Sequence, residues 1–334
     1  MSLPASDTSK QPDNLTTMDL GEVLPRTAEV RDNHLFIGGV DMVKLAREEG
    51  TALYVFDEAD LRWRMETYRE AFRSRYESSD VIYASKAFLN EEGLCLDVSG
   101  GGELACAQMA GFPMDRVFVH GNNKTPAELR EAISAGVGRI VVDSRIELAR
   151  VSEIAGELGV EQAIYMRITP GVEADTHEYI RTGCEDSKFG FTMLDDFAFK
   201  CVKDAIEAPN VKLVGFHCHI GSQIFALHSF REAAQVMIEF IARVQKEYGI
   251  EIPELDLGGG LGVAYLATDK PSSIDDFAEC TTRAVKDFCA EYGVAEPRIL
   301  VEPGRSLVAN AGVTLYTVGI LKTLPGIRKY VAID

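Results

Sequence analysis

Short apolar runs alternate along the chain with longer stretches in which apolar residues recur at helical spacing. The alternation begins near residue 53 and continues to about residue 302. Strand and helix in alternation predict an α/β fold on parallel strands. Nine runs are typical of buried strands: 53–56, 81–84, 94–98, 116–120, 139–143, 163–168, 213–219, 254–257 and 298–302.

The number of strand candidates favours a closed (β/α)8 TIM-like barrel, although periodicity alone does not separate it from an open doubly wound sheet. A barrel of this kind takes eight strands, and the chain offers nine. One candidate therefore lies outside the barrel, and we expect it to be 53–56.

Two of the intervening stretches carry clear helix signals. In 125–136, Thr125 can cap a helix, Glu128 follows three residues later, and Gly136 can end the helix. The stretch 228–249 is long and amphipathic. Both stretches predict helices between the strands.

The amino-terminal region differs from the alternating middle. Residues 1–25 are largely polar, so we expect a disordered tail. Residues 26–50 alternate weakly between 27 and 43, which predicts a strand or hairpin set apart from the barrel. The barrel itself is predicted to span 51–305.

Composition and charge narrow the possible partners. The chain has 334 residues, 46% of them apolar, which is enough to bury a large core. Its formal charge of −18 would repel phosphate backbones and anionic lipid, so nucleic acid and membranes are not expected partners. No apolar run approaches the roughly 18 residues of a membrane span, and no signal peptide is recognisable, which predicts a cytoplasmic protein.

The seven cysteines are scattered and never spaced as C-x-x-C. This pattern predicts reduced thiols rather than a zinc ribbon or a disulfide framework.

Chemically useful residues follow several strand candidates at their carboxyl ends, where barrels of this type carry their active sites. Lys86 directly follows VIYAS. A lysine there is either a solvated charge or a Schiff-base lysine that bonds to a carbonyl cofactor. The single residue leaves both interpretations open.

A run of three glycines, Gly258 to Gly260, follows the strand candidate 254–257. Such a run makes a tight turn, or its backbone N–H groups bind a phosphate.

His217 and His219 alternate in GFHCHIGSQ. They could be core histidines, two metal ligands, or imidazoles that stack on a flat heteroaromatic ring, with Ser222 turned toward a phosphate. The coordination number that zinc needs disfavours the metal, and no metal is expected.

The segment VEPGR places Glu302, Pro303, Gly304 and Arg305 after the last strand candidate. A surface ion pair is one interpretation. In the other, Glu302 keeps a pyridine nitrogen protonated, Gly304 binds phosphate, and Arg305 binds a carboxylate.

These segments together resemble a known family. The motifs YASKA, HGNNK, SKFGF, GFHCHIGSQI, LDLGGGLG and EPGRSLVA occur in this order. They are similar to the alanine-racemase-like (fold type III) pyridoxal-phosphate-dependent decarboxylases, and among them to the branch that acts on diaminopimelate. The resemblance covers about residues 26–334.

The resemblance implies a role for each of the residues singled out above. Lys86 would bond covalently to pyridoxal 5′-phosphate, His219 would stack on its ring, Glu302 would pair with its ring nitrogen, and Arg305 would bind the substrate carboxylate. The phosphate would be held by Ser222, Gly258, Gly259, Gly260, Pro303 and Gly304.

The resemblance also implies the reaction and the assembly. The expected activity is decarboxylation of meso-2,6-diaminopimelate to L-lysine and CO2, by a homodimer with shared active sites. An ornithine- or arginine-type decarboxylase of the same fold is the alternative, since nothing in the spacing reports substrate length. A metal-dependent barrel hydrolase using His217 and His219 is a third possibility, from a different class.

The carboxyl-terminal end departs from the family pattern. The family continues past a point like VAID334 with a Gly-Gly turn and a strand domain, so 306–334 predicts the incomplete start of that domain, to which 26–50 would belong. None of the seven cysteines lies in the Cys-Glu-Ser setting of the family's general acid. A non-catalytic cofactor-binding barrel is therefore a further alternative.

Overall fold

The computed structural model describes residues 23–86, 93–172 and 187–334, which form two compact units. The larger unit comprises 64–263 and 270–308. The smaller unit comprises the described residues up to Trp63, together with 264–269 and 309–334. Most of the predicted tail, residues 1–22, lies outside the described residues.

The amino-terminal part of the smaller unit is a three-stranded antiparallel sheet followed by a helix and a strand. Asp41 caps the helix, because its Oδ1 accepts the N–H groups of Val43 and Lys44. The strand or hairpin predicted at 27–43 is therefore present. The elements are β1 (Glu29–Arg31), β2 (His34–Ile37), β3 (Val40–Asp41), α1 (Met42–Glu49) and β4 (Leu53–Phe56).

The larger unit contains a closed barrel of eight parallel strands, in which the last strand pairs with the first. The chain enters it after helix α2 (Glu58–Arg73). The barrel strands are β5 (Ser79–Ala84), β6 (Cys95–Val98), β7 (Val117–Val119), β8 (Arg139–Val142), β9 (Gln162–Thr169), β11 (Val211–His217), β12 (Glu254–Asp256) and β13 (Arg298–Val301), with the two-residue β10 (Phe191–Thr192) paired to the end of β9.

Within the described parts of the chain, seven helices follow barrel strands: α3 (Gly101–Met109), α4 (Pro126–Ala135), α5 (Arg145–Leu158), α6 (Phe197–Glu207), α7 (His228–Tyr248), α8 (Ile274–Tyr292) and α9 (Arg305–Val308).

These strands and helices confirm the predicted (β/α)8 barrel. Eight of the nine strand candidates form it, and the ninth, β4, pairs instead with β14 (Gly312–Leu315) in the smaller unit. Both predicted helices are confirmed as α4 and α7. Thr125 and Glu128 form a capping box at the start of α4, and Gly136 ends it in the left-handed conformation.

The rest of the smaller unit is the antiparallel hairpin of β15 (Val318–Leu324) and β16 (Arg328–Ile333). The prediction that 26–50 and 306–334 belong to one larger β domain stays a prediction. Among the described residues, no helix is long and apolar enough to cross a membrane.

The interior of the barrel is apolar, with Ile82, Phe118 and Tyr165 fully or almost fully buried. At the amino-terminal end of the strands, this core meets the buried carboxylate of Glu254. Its oxygens accept two hydrogen bonds of 2.9 Å from Arg139, one of 3.0 Å from Arg298, and one of 2.6 Å from the Tyr165 hydroxyl. These contacts connect four strands, so the polar groups at the amino-terminal end of the barrel stabilise it. A binding site is therefore expected at the opposite, carboxyl-terminal end.

Candidate active site

A cavity of about 420 Å³ lies at the carboxyl ends of the barrel strands. Polar side chains from several strands and the loops after them converge on it. Of the residues singled out from the sequence, those that line the cavity are Lys86, His217, His219, Ser222, Gly260, Glu302, Gly304 and Arg305. Gly258, Gly259 and Pro303 are not among its lining residues.

Glu302, just after β13, is the buried acidic group of the cavity. Its Oε1 lies 2.8 Å from Nε2 of His120, and its Oε2 forms a 3.0 Å hydrogen bond with Nε2 of His217. Burial favours the neutral acid, but the two imidazoles outweigh burial and hold the pKa of Glu302 well below its usual range. The carboxylate is therefore ionised although no side chain of the cluster is more than 8% exposed.

The two histidines beside Glu302 differ in charge. Burial outweighs the opposing effect of Glu302 and, with smaller contributions from His120 and Arg167, lowers the pKa of His217 to about 4, so its ring is neutral at pH 7. Burial also opposes a charge on His120, but the carboxyl groups of Asp97 and Glu302 reverse the effect and raise its pKa. Glu302 thus accepts a hydrogen bond from one neutral ring and faces a second ring that favours the cationic form.

Two further carboxyl groups near the cavity are less acidic than Glu302. Burial raises the pKa of Asp97 to about 6, and Oδ1 of Asp97 lies 4.0 Å from Nε2 of His120. Burial and the charge of Glu302 raise the pKa of Asp256 well above its usual range. The negative charge of this region is therefore concentrated on Glu302.

The three glycines after β12 are required by close backbone contacts. A Cβ on Gly259 would lie 2.0 Å from the carbonyl oxygen of Glu302, and one on Gly260 would lie 2.4 Å from that of Gly221. Gly258 and Gly260 also have φ values of +68° and +121°, which favour glycine.

The amide groups of this glycine turn are partly engaged. Gly258 N–H donates to Oδ1 of Asp256 (2.8 Å), and Gly259 N–H donates to Nδ1 of His219 (3.3 Å). Glu302 N–H in turn donates to the carbonyl of Gly258 (2.9 Å). Of the two interpretations from the sequence, the tight turn is present, and it braces both Glu302 and His219.

His219 presents a neutral ring to the cavity. Burial, Arg167 and Lys86 lower its pKa to about 3. Next to it along the chain, the hydroxyl of Ser222 accepts a hydrogen bond of 3.2 Å from Nε of Arg305. The structure therefore brings an amine, a flat ring, a hydroxyl, a guanidinium and an ionised carboxylate together in one cavity.

Arg167, His120 and Asp97 line the cavity but were not singled out from the sequence. Arg167 is buried in β9, with its guanidinium 4.3 Å from the ring centre of Phe189 and Nε 3.9 Å from Oδ1 of Asp143. The sequence does contain a signal for Arg167, because this charged residue interrupts the apolar run 163–168. Burial of a charge in a strand is costly unless the charge is paired, so such a residue is a candidate for a site.

Lys124, the last residue of HGNNK, is buried and is not in the lining of this cavity. Its ammonium donates to the carbonyl groups of Gly121 (2.6 Å) and Val141 (2.8 Å) and lies 2.6 Å from Oε1 of Glu147. This lysine fixes the loop after β7 to β8.

The suggested pairing of His217 with His219 as metal ligands is not what the structure shows. Within the described ranges, the ligand atoms close enough to share an ion belong to His120, His217 and Glu302, all within 4.8 Å of one another. His217 forms a hydrogen bond of 3.0 Å with Glu302, and Nε2 of His120 lies 2.8 Å from Oε1 as a close charge contact.

Comparison with known proteins identifies the family. Residues 58–309 match the family described as pyridoxal-dependent decarboxylase, pyridoxal binding domain. The diaminopimelate decarboxylase of Bacillus subtilis is 45% identical over 309 residues, covering 90% of this chain and 70% of that protein. That of Mycobacterium tuberculosis is 44% identical over 314 residues, covering 89% and 70%.

A solved structure agrees with the sequence matches. The crystal structure of diaminopimelate decarboxylase from M. jannaschii in complex with L-lysine has a TM-score of 0.86 and 36% identity to this chain. The match covers 93% of this chain and 73% of that one.

Proposed function

The chain belongs to the pyridoxal-dependent decarboxylase family, and from this premise we propose that it converts meso-2,6-diaminopimelate to L-lysine and CO2 with pyridoxal 5′-phosphate as cofactor. The bond from the α-carbon to one carboxylate breaks, CO2 leaves, and a proton takes its place on the carbon. When bound, the cofactor supplies an electron sink for the pair left by CO2.

The cavity residues fit this cofactor. A phosphorylated pyridine aldehyde needs an amine for its carbonyl, a flat surface for its ring, an acceptor for its ring N–H and donors for its phosphate. Lys86 is exposed at the cavity and offers the amine, and the neutral ring of His219 offers the flat surface. Donors for the phosphate are the Ser222 hydroxyl and the amides of Gly260 and Gly304.

Gly258 and Gly259 support neighbouring residues and are not proposed as phosphate donors. Their amides donate to Asp256 and His219, and the carbonyl of Gly258 accepts Glu302 N–H, so the turn braces His219 and Glu302, which would face the cofactor. Pro303 also has a supporting role, because it lies between Glu302 and Gly304, both of which line the cavity.

The observation that carries the proposal is the ionised Glu302 buried in a cavity that also holds Lys86 and Arg305. A buried carboxylate at this position favours a protonated ring nitrogen, and the protonated ring is the better electron sink. Arg305, whose Nε donates to the Ser222 hydroxyl, would bind a substrate carboxylate through its guanidinium.

The choice of substrate rests on the relatives. Proteins 44–45% identical to this chain are named diaminopimelate decarboxylases, and a structure 36% identical was solved with L-lysine, which is the expected product. An ornithine- or arginine-type decarboxylase of the same fold is the second candidate. We also propose a homodimer, which sedimentation analysis would test.

The substrate experiment compares three amino acids at equal concentration with excess pyridoxal 5′-phosphate. We expect CO2 from meso-diaminopimelate, with one L-lysine per CO2. Release of CO2 from ornithine or arginine instead would contradict the substrate proposal. Tight cofactor binding without CO2 from any of the three would favour a non-catalytic cofactor-binding barrel.

A further inference from the structure

We infer that His120 and His217 are positioning residues that orient Glu302 and keep its negative charge for the ring nitrogen of the cofactor. The inference rests on the proposed function, since it concerns the group that Glu302 would face there. His120 supplies a compensating charge, and His217 supplies a hydrogen bond.

The geometry holds Glu302 at both of its oxygens. His120 lies 2.8 Å from Oε1 and His217 lies 3.0 Å from Oε2, and the two rings meet edge to face at 71° with centroids 5.0 Å apart. The contact with His217 is a hydrogen bond, and the contact with His120 is a close approach of charges, so rotation of the carboxylate about its last bond would break the first and lengthen the second.

Burial makes these contacts hard to replace. The side chains of His120, His217 and Glu302 are 7%, 1% and 8% exposed. Water therefore has little access to solvate the carboxylate if an imidazole is removed, and an uncompensated buried charge is costly. Loss of either partner should shift Glu302 toward its neutral form.

The two histidines contribute differently. His120 lies between Asp97 and Glu302, 4.0 Å and 2.8 Å from their oxygens, so it can compensate their charge as a cation. His217 is neutral and supplies a hydrogen-bond donor. An ionised carboxylate has about four lone-pair sites. Two histidines therefore leave acceptor capacity for a ring N–H.

The experiment measures how strongly the protein discriminates pyridoxal 5′-phosphate from the analogue in which a C–H group replaces the ring nitrogen. The ratio of the two dissociation constants isolates the contact to that nitrogen. We expect the wild type to favour pyridoxal 5′-phosphate about tenfold or more, as a charge-assisted hydrogen bond predicts.

Four variants separate the two tasks. His217→Leu and His120→Leu should bring the ratio close to one, since Glu302 loses a partner. His217→Gln keeps a donor near the position of Nε2 and should retain most of the discrimination. His120→Gln supplies no positive charge, so it should retain less of the discrimination than His217→Gln. The two glutamine variants also guard against misfolding caused by an apolar side chain in the cluster.

The matched control is His228→Leu, which changes an exposed histidine at the start of α7. Its ratio should equal that of the wild type. Melting temperatures of all variants without cofactor show which of them remain folded.

Three outcomes would overturn the inference. The first is that the leucine variants discriminate between pyridoxal 5′-phosphate and the analogue as strongly as the wild type. A second is a wild type that binds both compounds equally, which leaves the decarboxylase proposal intact if CO2 is still released. The third is one equivalent of metal bound by His120, His217 and Glu302, found by elemental analysis and lost in the leucine variants.

Discussion

Single residues around the cavity carry charges that their surroundings determine. Glu302 is ionised because two imidazoles outweigh its burial, while Asp256, equally enclosed, favours the neutral acid. Lys86 is the exposed amine of this set. The chemistry proposed for the cavity follows from this division between one firm negative charge and several groups that are neutral or cationic.

Lys86→Ala should abolish covalent cofactor binding. With excess pyridoxal 5′-phosphate followed by dialysis, the wild type should keep an absorbance band typical of a Schiff base, and the variant should lose it, because no other amine lines the cavity within the described residues. Lys246→Ala, on the exposed face of α7, is the control and should behave as the wild type. A band that persists in Lys86→Ala would exclude Lys86 as the covalent residue.

His217 should make the stability of the cofactor-free protein depend on pH. Its pKa is about 4 when folded and about 6.5 when unfolded, so the unfolded state binds more protons between these values and stability falls as the pH falls. From pH 6.5 to 4.5 the loss should total about 2 kcal/mol, and its slope should approach about 1.4 kcal/mol per pH unit only near the middle of this range.

Denaturant unfolding of the wild type and His217→Gln at several pH values checks this expectation. The difference between the two curves isolates His217 from Asp97, whose raised pKa acts in the opposite direction. Parallel curves from pH 6.5 to 4.5 would show that His217 gains its proton as readily in the folded protein.

Sequence reasoning identified Lys86, Glu302 and Arg305 because strand ends are recognisable from local pattern. It did not identify the contacts of Glu302 with His120 and His217. Those contacts join residues 182 and 85 positions apart in the sequence, at three different strand ends. Only closure of the barrel brings these ends together, and spacing along the chain carries no information about facing positions.

At the scale of elements, local rules located most of the barrel. The predicted strand 163–168 is β9 at Gln162–Thr169, and the predicted helix 228–249 is α7 at His228–Tyr248. The two-residue β10 was not predicted, because it is too short for any periodicity and forms only through its pairing with β9.

The capping box of α4 should contribute measurably to stability. Thr125→Ala removes the hydroxyl that accepts Glu128 N–H, and it should lower the free energy of unfolding by about 1 kcal/mol. Thr125→Ser keeps the hydroxyl and is the control. Equal unfolding midpoints for the alanine and serine variants would mean that the cap adds nothing to stability.

At the scale of the whole molecule, a network of charged and polar side chains joins barrel strands at their amino-terminal end. Glu254 on β12 is bonded to Arg139 on β8, Arg298 on β13 and Tyr165 on β9. The two guanidinium groups and the hydroxyl lower its pKa despite burial. The sequence predicted the strands but not this network, because its members are scattered over 160 positions, from 139 to 298.

Removal of Glu254 should therefore destabilise the barrel as a unit. Glu254→Ala removes the acceptor of the buried Tyr165 hydroxyl and of two partly exposed guanidinium groups, although Arg298 keeps its contact with Asp80. We expect a loss of about 3 kcal/mol in the free energy of unfolding. The control is Glu251→Ala, which changes an exposed carboxylate shortly before β12. Thermal or denaturant unfolding measures both. A loss no larger than that of the control would show that the network does not contribute to closing the barrel.

The contrast between Lys86 and Lys124 has a consequence for chemical labelling. Both follow barrel strands, but Lys86 is exposed, whereas the ammonium of Lys124 is enclosed by two carbonyl groups and a carboxylate. An acylating reagent needs an accessible amine, so brief treatment should modify Lys86 and spare Lys124. Peptide mass mapping can thus report, without a spectrum or an assay, whether the cavity is open to small molecules.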